Sequence, residues 1–328
     1  MAATHAVVWQ TAAVVANEPL TPTIRRIVLT MSQPLKVAAG AHLDVRVRIA
    51  GELDRRSYSI VDASDDGETV AVSVLHSVAT RGGAPAMHAL AVGDEIEVTQ
   101  PIVDFPLRIG APSYVLLAGG IGITAILGMA RRLRSVAADY RVVYVGRSRS
   151  ELAYLKELVA EHGDRLELHI GDEGSSLSVP ELVGSVGAKT ELYMCGPIRL
   201  MDAVRRSWGD QGLSAPNLRF ETFGNSGWHE AQEFTVRIPA TGLETVVKPG
   251  ETMLEALEAA GADMMYDCKK GECGLCEVRV RSLEGSIDHR DVFYSERQKD
   301  ATSKMCCCVS RVVPTQAGGS ALVEIEAS

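Results

Sequence analysis

Apolar and polar positions alternate with a period of two over residues 42–49, and the same alternation returns over 68–75 and 94–100. Glycine and aspartate separate these runs, so residues 1–108 are predicted to form all-β structure, a small antiparallel barrel or sandwich. Pro101, Pro106 and the Gly110-Ala-Pro112 stretch then punctuate the chain. From Ser113 the pattern changes. Residues 114–118 are unbroken apolar, as in a strand buried on both faces, and glycines and a helical period through Arg134 follow. Further strand patterns at 141–145, 166–170 and 191–195, with helical stretches between, predict a doubly wound parallel sheet. The polar stretch Gly224-Asn-Ser-Gly227 reads as a linker. Beyond it lie strand patterns at 234–238 and 244–247, a helix over 252–260 and a closing strand at 321–325. Three domains follow, at 1–110, 111–228 and 229–328.

The chain has 328 residues, 46% of them hydrophobic and 23% charged, an ordinary globular composition. No apolar run reaches the roughly 18 residues that a membrane span needs, and no charged-then-apolar leader opens the chain. A soluble cytoplasmic protein is the expectation. The net charge of −9 argues against nucleic acid or an anionic membrane as a partner. Residues 229–328 hold 17 Asp and Glu against 11 Lys and Arg, an acidic balance that would steer toward a basic patch on another protein.

Cysteine placement narrows the chemistry. Six of seven cysteines, Cys268, Cys273, Cys276, Cys306, Cys307 and Cys308, fall in the last 61 residues. Clustered cysteines in a reducing compartment bind metal or do redox work more often than they form disulfides. The spacing C-x4-C-x2-C from Cys268 to Cys276 is that of a plant-type [2Fe–2S] loop, which needs a fourth thiolate from farther along. Gly271 and Gly274 suit a loop that must wrap tightly around two irons. A structural zinc site would pair its cysteines twice, and the second pair is missing. Spacing alone leaves the fourth ligand open among Cys306, Cys307 and Cys308.

Gly119-Gly120-Ile-Gly122-Ile-Thr124 follows a buried strand and opens a helix, the setting in which glycines admit a pyrophosphate. Cys195-Gly196-Pro197 ends another strand of the same sheet, at the edge where open α/β sheets bind ligands. No acidic residue ends the second strand. Arg147-Ser148-Arg149 stands there instead, which on its own points to the 2′-phosphate of NADP.

In order and register, these motifs resemble the phthalate dioxygenase reductase and vanillate demethylase reductase family, a branch of the ferredoxin–NADP reductase superfamily. The resemblance covers nearly the whole chain. It implies an antiparallel β-barrel flavin domain, a doubly wound α/β nicotinamide domain and an α+β β-grasp ferredoxin domain. Arg56-Ser57-Tyr58-Ser59 is similar to the family's R-x-Y-S motif. It implies that Arg56 meets the flavin phosphate, Tyr58 lies along the ring and Ser59 neighbours the reactive nitrogen, with Ser57 beside them. Thr80-Arg81-Gly82-Gly83-Ala84 is similar to a G-R-G-G-S phosphate loop that favours FMN, with Thr80 in place of Gly and Ala84 in place of Ser. Val74 and Leu75 would border the ring, and Phe223 of Glu221-Thr-Phe223 would cover it.

Gly119, Gly120, Gly122 and Thr124, with Cys195, Gly196 and Pro197, match the family's two nicotinamide motifs, and Cys195 and Ser59 would flank the reacting atoms. Arg147-Ser148 matches a pair found in members that mostly use NADH, so NADH is the expected donor and NADPH the alternative. Cys308-Val-Ser-Arg311 is similar to C-x-S-R, which makes Cys308 the fourth ligand after Cys268, Cys273 and Cys276. His289-Arg290-Asp291 is a family landmark in the preceding loop. The implied protein is the reductase of a two-component Rieske non-heme iron oxygenase, passing electrons from NADH through FMN and a [2Fe–2S] cluster. A reductase serving a cytochrome P450, or a non-enzymatic redox-sensing metal-binding module, is the alternative.

Overall fold

A computed structural model describes residues 7–49, 51–76, 82–224, 226–316 and 319–326. Two compact units emerge, one of residues 1–196 with 207–221, the other of 197–206 with 222–328.

The first unit begins with strands β1 (Trp9–Pro19), β2 (Ile24–Met31), β3 (His42–Ile49), β4 (Glu52–Ala63), β5 (Thr69–Leu75) and β6 (Glu95–Thr99). They close into a barrel in the order β1-β2-β5-β4-β3-β6, which resolves the barrel-or-sandwich alternative. Its interior is aliphatic, with Ile27, Leu29, Leu43, Val45, Val72 and Val98 almost wholly buried. The stretch is not all β. A short helix α1 (Gly83–His88) interrupts it, and no periodicity marks six residues of this kind. Tertiary contacts hold it in place. The Asn17 amide donates to the Leu90 and Met87 carbonyls at its C-terminal end, at 2.7 and 3.3 Å, and His88 Nε2 meets the Val74 carbonyl at 2.8 Å.

The same unit continues with β7 (Tyr114–Gly119), α2 (Ile123–Ser135), β8 (Tyr140–Gly146), α3 (Leu155–His162), β9 (Leu166–Ile170), α4 (Val179–Gly184), β10 (Glu191–Cys195), α5 (Ile198–Asp210) and β11 (Leu218–Glu221). The strands form a parallel sheet in the order β11-β10-β7-β8-β9. With α-helical crossovers this is the doubly wound arrangement that the alternating pattern predicts. The boundary between the two units runs through α5. Helix α2 is apolar on more than one face because it packs against the sheet and also near barrel strand β4, where Arg131 Nη1 donates to the Val61 carbonyl at 3.3 Å. Across the same seam the Ser73 and Tyr154 hydroxyls lie 2.5 Å apart.

Arg131 also forks onto Glu161 of α3 at 2.9 and 3.0 Å. That guanidinium holds the Glu161 carboxyl below its ordinary value of 4.5, although partial burial pushes the other way. A depressed carboxylate stabilises the fold above its unfolded pKa and loses that contribution as pH falls through the folded one. Glu161→Gln should therefore cost about 1 kcal/mol at pH 7, a figure limited by partial exposure, and nothing once both forms are protonated in acid. Urea unfolding at pH 7 and pH 3 checks this.

The second unit contains β12 (Phe234–Ile238), β13 (Leu243–Val247), α6 (Met253–Ala259), β14 (Glu277–Glu284), β15 (Ser286–Asp288), α7 (Glu296–Asp300), β16 (Lys304–Cys306), β17 (Arg311–Val313) and β18 (Leu322–Glu326). A mixed sheet runs β13-β12-β18-β14-β16, with β15 and β17 as a separate pair. Helix α6 starts at Thr252, whose hydroxyl accepts the Glu255 N–H while Glu255 reaches back to the Thr252 N–H, a reciprocal cap. Its apolar face, Met253, Leu254, Ala256 and Leu257, joins Val236, Val278, Met305 and Val323 in one core. This is the α+β layer expected of residues 229–328. Among the described residues no helix is long and apolar enough to cross a membrane.

Gly224 and Gly227 are both held in close contacts. A Cβ on Gly224 would lie 2.9 Å from Val309 Cγ1, and one on Gly227 would lie 2.3–2.6 Å from the Arg290 guanidinium. Beside it the Trp228 N–H donates to Asp288 at 2.9 Å, while Asp288 and Arg290 pair at 2.7 Å. Here glycine serves close approach rather than flexibility.

Candidate functional site

Strand β4 carries Arg56, Ser57, Tyr58 and Ser59. Alternation along the strand separates them, and only Ser59 of the four is buried. The Ser57 hydroxyl donates to buried Asp44 at 2.5 Å, which fixes its rotamer. The Arg56 guanidinium pairs with Asp54 and donates to the Arg55 carbonyl at 3.0 Å. Its stem lies against the start of α1: a Cβ on Gly83 would come within 2.8 Å of Arg56 Cγ and 3.0 Å of Nε. Residues 27 apart in sequence thus form one cradle, a cation beside a backbone stripped of side chains, with Gly82 in the left-handed region at φ +81°. This fits a flavin phosphate. Val74 is buried in β5, Leu75 ends that strand, and Ala84 lies in the first turn of α1. Arg81 and Thr80 lie outside the described residues.

At the C-terminal edge of the parallel sheet, β7 and β10 are direct neighbours, with Ala118 opposite Cys195. That pairing brings the two glycine motifs together. A Cβ on Gly122 would meet the Cys195 carbonyl oxygen at 2.2 Å, and one on Gly196 would lie 3.0 Å from Gly119. Around Gly120 the space is open. The Thr124 hydroxyl donates to the Ile121 carbonyl at 2.9 Å and tightens the turn into α2. Cys195 is buried, and Pro197 carries the chain into α5. Arg147 and Ser148 follow β8 on the same edge, Arg147 exposed and the Ser148 hydroxyl 3.0 Å from that of Ser150. A glycine-lined turn between two parallel strands can admit a dinucleotide. Phe223 falls in the second unit, just past β11, and is half-buried.

Within the second unit the cysteine loop runs from Cys268 to Cys276 and enters β14. Gly271 and Gly274 both have φ +76°, which L side chains rarely adopt. Neither has room for a side chain, since a Cβ would lie 2.6 Å from Val309 Cγ2 at Gly271 and 2.3 Å from the Phe293 ring at Gly274. The Lys270 and Cys273 amides point at Cys268 Sγ, at 3.4 and 3.5 Å. Cys276 Sγ lies 3.1 Å from Cys308 Sγ, and both are buried. The four thiols are linked in turn: Cys273 lies against Cys268, Cys308 reaches Cys276, and Cys308 also feels Cys268. Four thiols, three from one loop and Cys308 from the segment between β16 and β17, make a donor set that fits two irons.

Cys306, Cys307 and Cys308 are all buried and all touch Cys276, but their remaining neighbours differ. Cys306 pairs with Glu277 across β16 and β14 and feels the Asp291 charge. Cys307 is held by backbone bonds to Cys276 and Leu254 and feels Glu258. Cys308 feels Cys268. The thiols of Cys306, Cys307 and Cys308 hold the Cys276 thiol well below its ordinary value, and contact with Cys276 together with burial pushes the other three up.

Two supports lie outside the motif residues. Asp291 accepts from the Tyr294 N–H at 3.0 Å and the Ser310 hydroxyl at 3.1 Å, with His289 Nδ1 at 3.2 Å. Next to it the Val292 N–H donates to the Gly271 carbonyl at 3.0 Å, so the His289-Arg290-Asp291 landmark braces the cysteine loop. Arg311 is buried and donates to the carbonyls of Glu251, Gln232 and Lys248 at 2.5, 2.8 and 2.9 Å. Burial lowers its pKa to about 10. It is a structural cation three residues from Cys308.

The 2Fe-2S iron-sulfur cluster binding domain family matches residues 236–313. The carnitine monooxygenase reductase subunit of Acinetobacter pittii is 32% identical over 298 residues, 90% of this chain and 96% of that protein. The vanillate O-demethylase oxidoreductase of a Pseudomonas strain is 34% identical over 281 residues, 84% of this chain and 87% of that one. Among solved structures, phthalate dioxygenase reductase, described as a modular structure for electron transfer from pyridine nucleotides to [2Fe–2S], superimposes with a TM-score of 0.71. It is 29% identical, and the match spans 96% of this chain and 98% of that one. Matched over most of their length and in fold, these relatives show that the chain belongs to the phthalate dioxygenase reductase and vanillate demethylase reductase family, relatives of ferredoxin–NADP reductase with a C-terminal [2Fe–2S] ferredoxin domain.

Proposed function

We propose that this protein is the reductase component of a Rieske-type non-heme iron oxygenase, taking electrons from NADH and delivering them, through bound FMN and a [2Fe–2S] cluster, to the oxygenase in the cytoplasm. The linked thiols on a positive-φ glycine loop carry the reading, together with a glycine-lined sheet edge in the same chain. When bound, FMN accepts two electrons as a hydride and releases them singly, and the cluster carries one at a time.

The protein's own residues hold and orient. Arg56 supplies the fixed cation for the flavin phosphate, and Gly82 and Gly83 let backbone approach it, with Arg81 and Ala84 completing the loop. Tyr58, Val74 and Leu75 supply apolar cover, and Ser57 is held in its rotamer by Asp44. Gly119, Gly120, Gly122, Thr124, Arg147, Ser148, Gly196 and Pro197 shape the dinucleotide groove. Ser59 and Cys195 would stand beside the reacting atoms. Cys268, Cys273, Cys276 and Cys308 hold the irons, with amides directed at Cys268 favouring its thiolate. The acidic balance of residues 229–328 favours a basic docking patch on the oxygenase.

The test is a visible spectrum of the purified protein under anaerobic NADH, with the released flavin identified, followed by reconstitution with a Rieske oxygenase and, separately, a cytochrome P450. Flavin and iron–sulfur bands that bleach with NADH, and turnover with the Rieske partner, are expected. Turnover with the P450 alone would replace the partner. A colourless zinc protein, from cells supplied with iron and handled anaerobically, would sink the reductase reading.

A further inference from the structure

We propose that Glu173 makes this protein select NADH over NADPH, by occupying the Arg149 guanidinium that would otherwise receive the 2′-phosphate. The inference rests on the reading that a nicotinamide dinucleotide lies along the C-terminal ends of β7, β8 and β10.

In an open α/β sheet the adenosine ribose lies near the end of the second strand, where an arginine accommodates a 2′-phosphate. Here that strand is β8, and Arg147-Ser148-Arg149 follows it directly. Taken by itself, this arginine-flanked site points to the 2′-phosphate of NADP. The fold alters its chemistry by bringing in the segment after β9. Strands β8 and β9 are parallel neighbours, with Gly146 opposite Ile170, so residues 171–173 emerge beside 147–149. The Asp172 N–H donates to the Arg147 carbonyl at 2.9 Å. A Cβ on Gly171 would sit in ordinary contact with that same carbonyl oxygen, at 3.5 Å.

From this position Glu173 takes Arg149 in both prongs, Nε to Oε1 at 2.5 Å and Nη2 to Oε2 at 2.9 Å. A bidentate fork is the geometry a phosphate would also use, so the two anions compete for one donor face. Charge argues the same way. Arg147 and Arg149 are matched by Asp172 and Glu173, leaving no net cation for a phosphate monoester of about two negative charges. NADH, with a neutral 2′-hydroxyl, meets no such penalty. Exposed ion pairs add little to stability, so the pair can be broken without unfolding the domain.

The experiment compares wild type, Glu173→Gln, Arg149→Gln and the double variant, all as full-length holoprotein. It reads kcat/KM for NADH and NADPH with ferricyanide as acceptor, and binding of 2′,5′-ADP and 5′-AMP by calorimetry. Freeing a charged donor for the phosphate should raise NADPH kcat/KM in Glu173→Gln about ten- to hundredfold and tighten 2′,5′-ADP by a similar factor. NADH and 5′-AMP should change by less than about threefold, within what an exposed pair contributes. Adding Arg149→Gln should return the NADPH figures to those of wild type. An unchanged NADPH-to-NADH ratio in Glu173→Gln, or a gain that survives Arg149→Gln, would overturn the assignment while leaving the reductase reading intact. A wild type that binds neither nucleotide would remove both readings at once.

Discussion

Cys308→Ala should abolish the iron–sulfur absorption and the EPR signal of the reduced protein, while Cys306→Ala and Cys307→Ala keep both. The reason is direction rather than distance along the chain. Three adjacent residues cannot aim three side chains at one cluster; all three touch Cys276, but Cys308 also faces Cys268. Cys306 sits in β16 with Asp291 beside it, Cys307 is fixed by the Cys276 and Leu254 backbone, and Cys308 reaches Cys276 Sγ at 3.1 Å with Cys268 near. Removing an outer-shell partner of a metal commonly costs 10–100-fold, so losing a ligand should lower electron delivery to the acceptor protein by at least about a hundredfold. Reduction of ferricyanide by NADH should persist, because the barrel and the parallel sheet are untouched. Iron content, EPR and both activities of the three variants check this. A Cys306→Ala protein that loses the cluster while Cys308→Ala keeps it would move the fourth ligand.

The second large effect is expected at Gly122. Its replacement by alanine places a Cβ 2.2 Å from the Cys195 carbonyl oxygen, 2.5 Å from the carbonyl carbon and 2.9 Å from the Gly196 nitrogen. All three are backbone atoms of a strand end whose register with β7 is set residue by residue, so no side chain can swing aside. The clash must be relieved by separating the two strand ends that form the proposed dinucleotide groove. Overpacking of this kind costs about 1–3 kcal/mol. A displacement of about 1 Å at a reacting geometry costs on the order of a hundredfold in rate. Gly122→Ala should therefore lower kcat/KM for NADH by about that factor, with a melting temperature reduced by only a few degrees. Wild-type kinetics in Gly122→Ala would show that the groove is not where the nucleotide binds.

The chain itself shows how far local patterns reach. Alternation of period two located β3, β5 and β6 to within a residue, because a half-buried strand writes its two faces directly into its side chains. The unbroken apolar run of β7 and the glycines after it were equally legible, since a doubly covered strand and a tight strand–helix turn each demand particular residues locally. Strands β1 and β2, which do not alternate cleanly, were not placed, and neither were short or edge elements. Helix α1, strand β11 and the strands from β14 to β17 either span few residues or carry mixed faces, and long-range pairing holds them in place.

The proposed site divides along the same line. Sequence by itself determined the ligand spacing from Cys268 to Cys276, the glycine loop and the basic pair after β8, because each is a short segment whose chemistry depends on neighbours a few bonds away. Tertiary structure decided that Cys308 faces both Cys276 and Cys268, that Gly224 and Gly227 lie against Val309 and Arg290, and that Glu173 reaches Arg149. In each of these the deciding partner lies tens of residues away or in a neighbouring strand. Side-chain direction and strand register, which set those meetings, exist only once the sheets have formed.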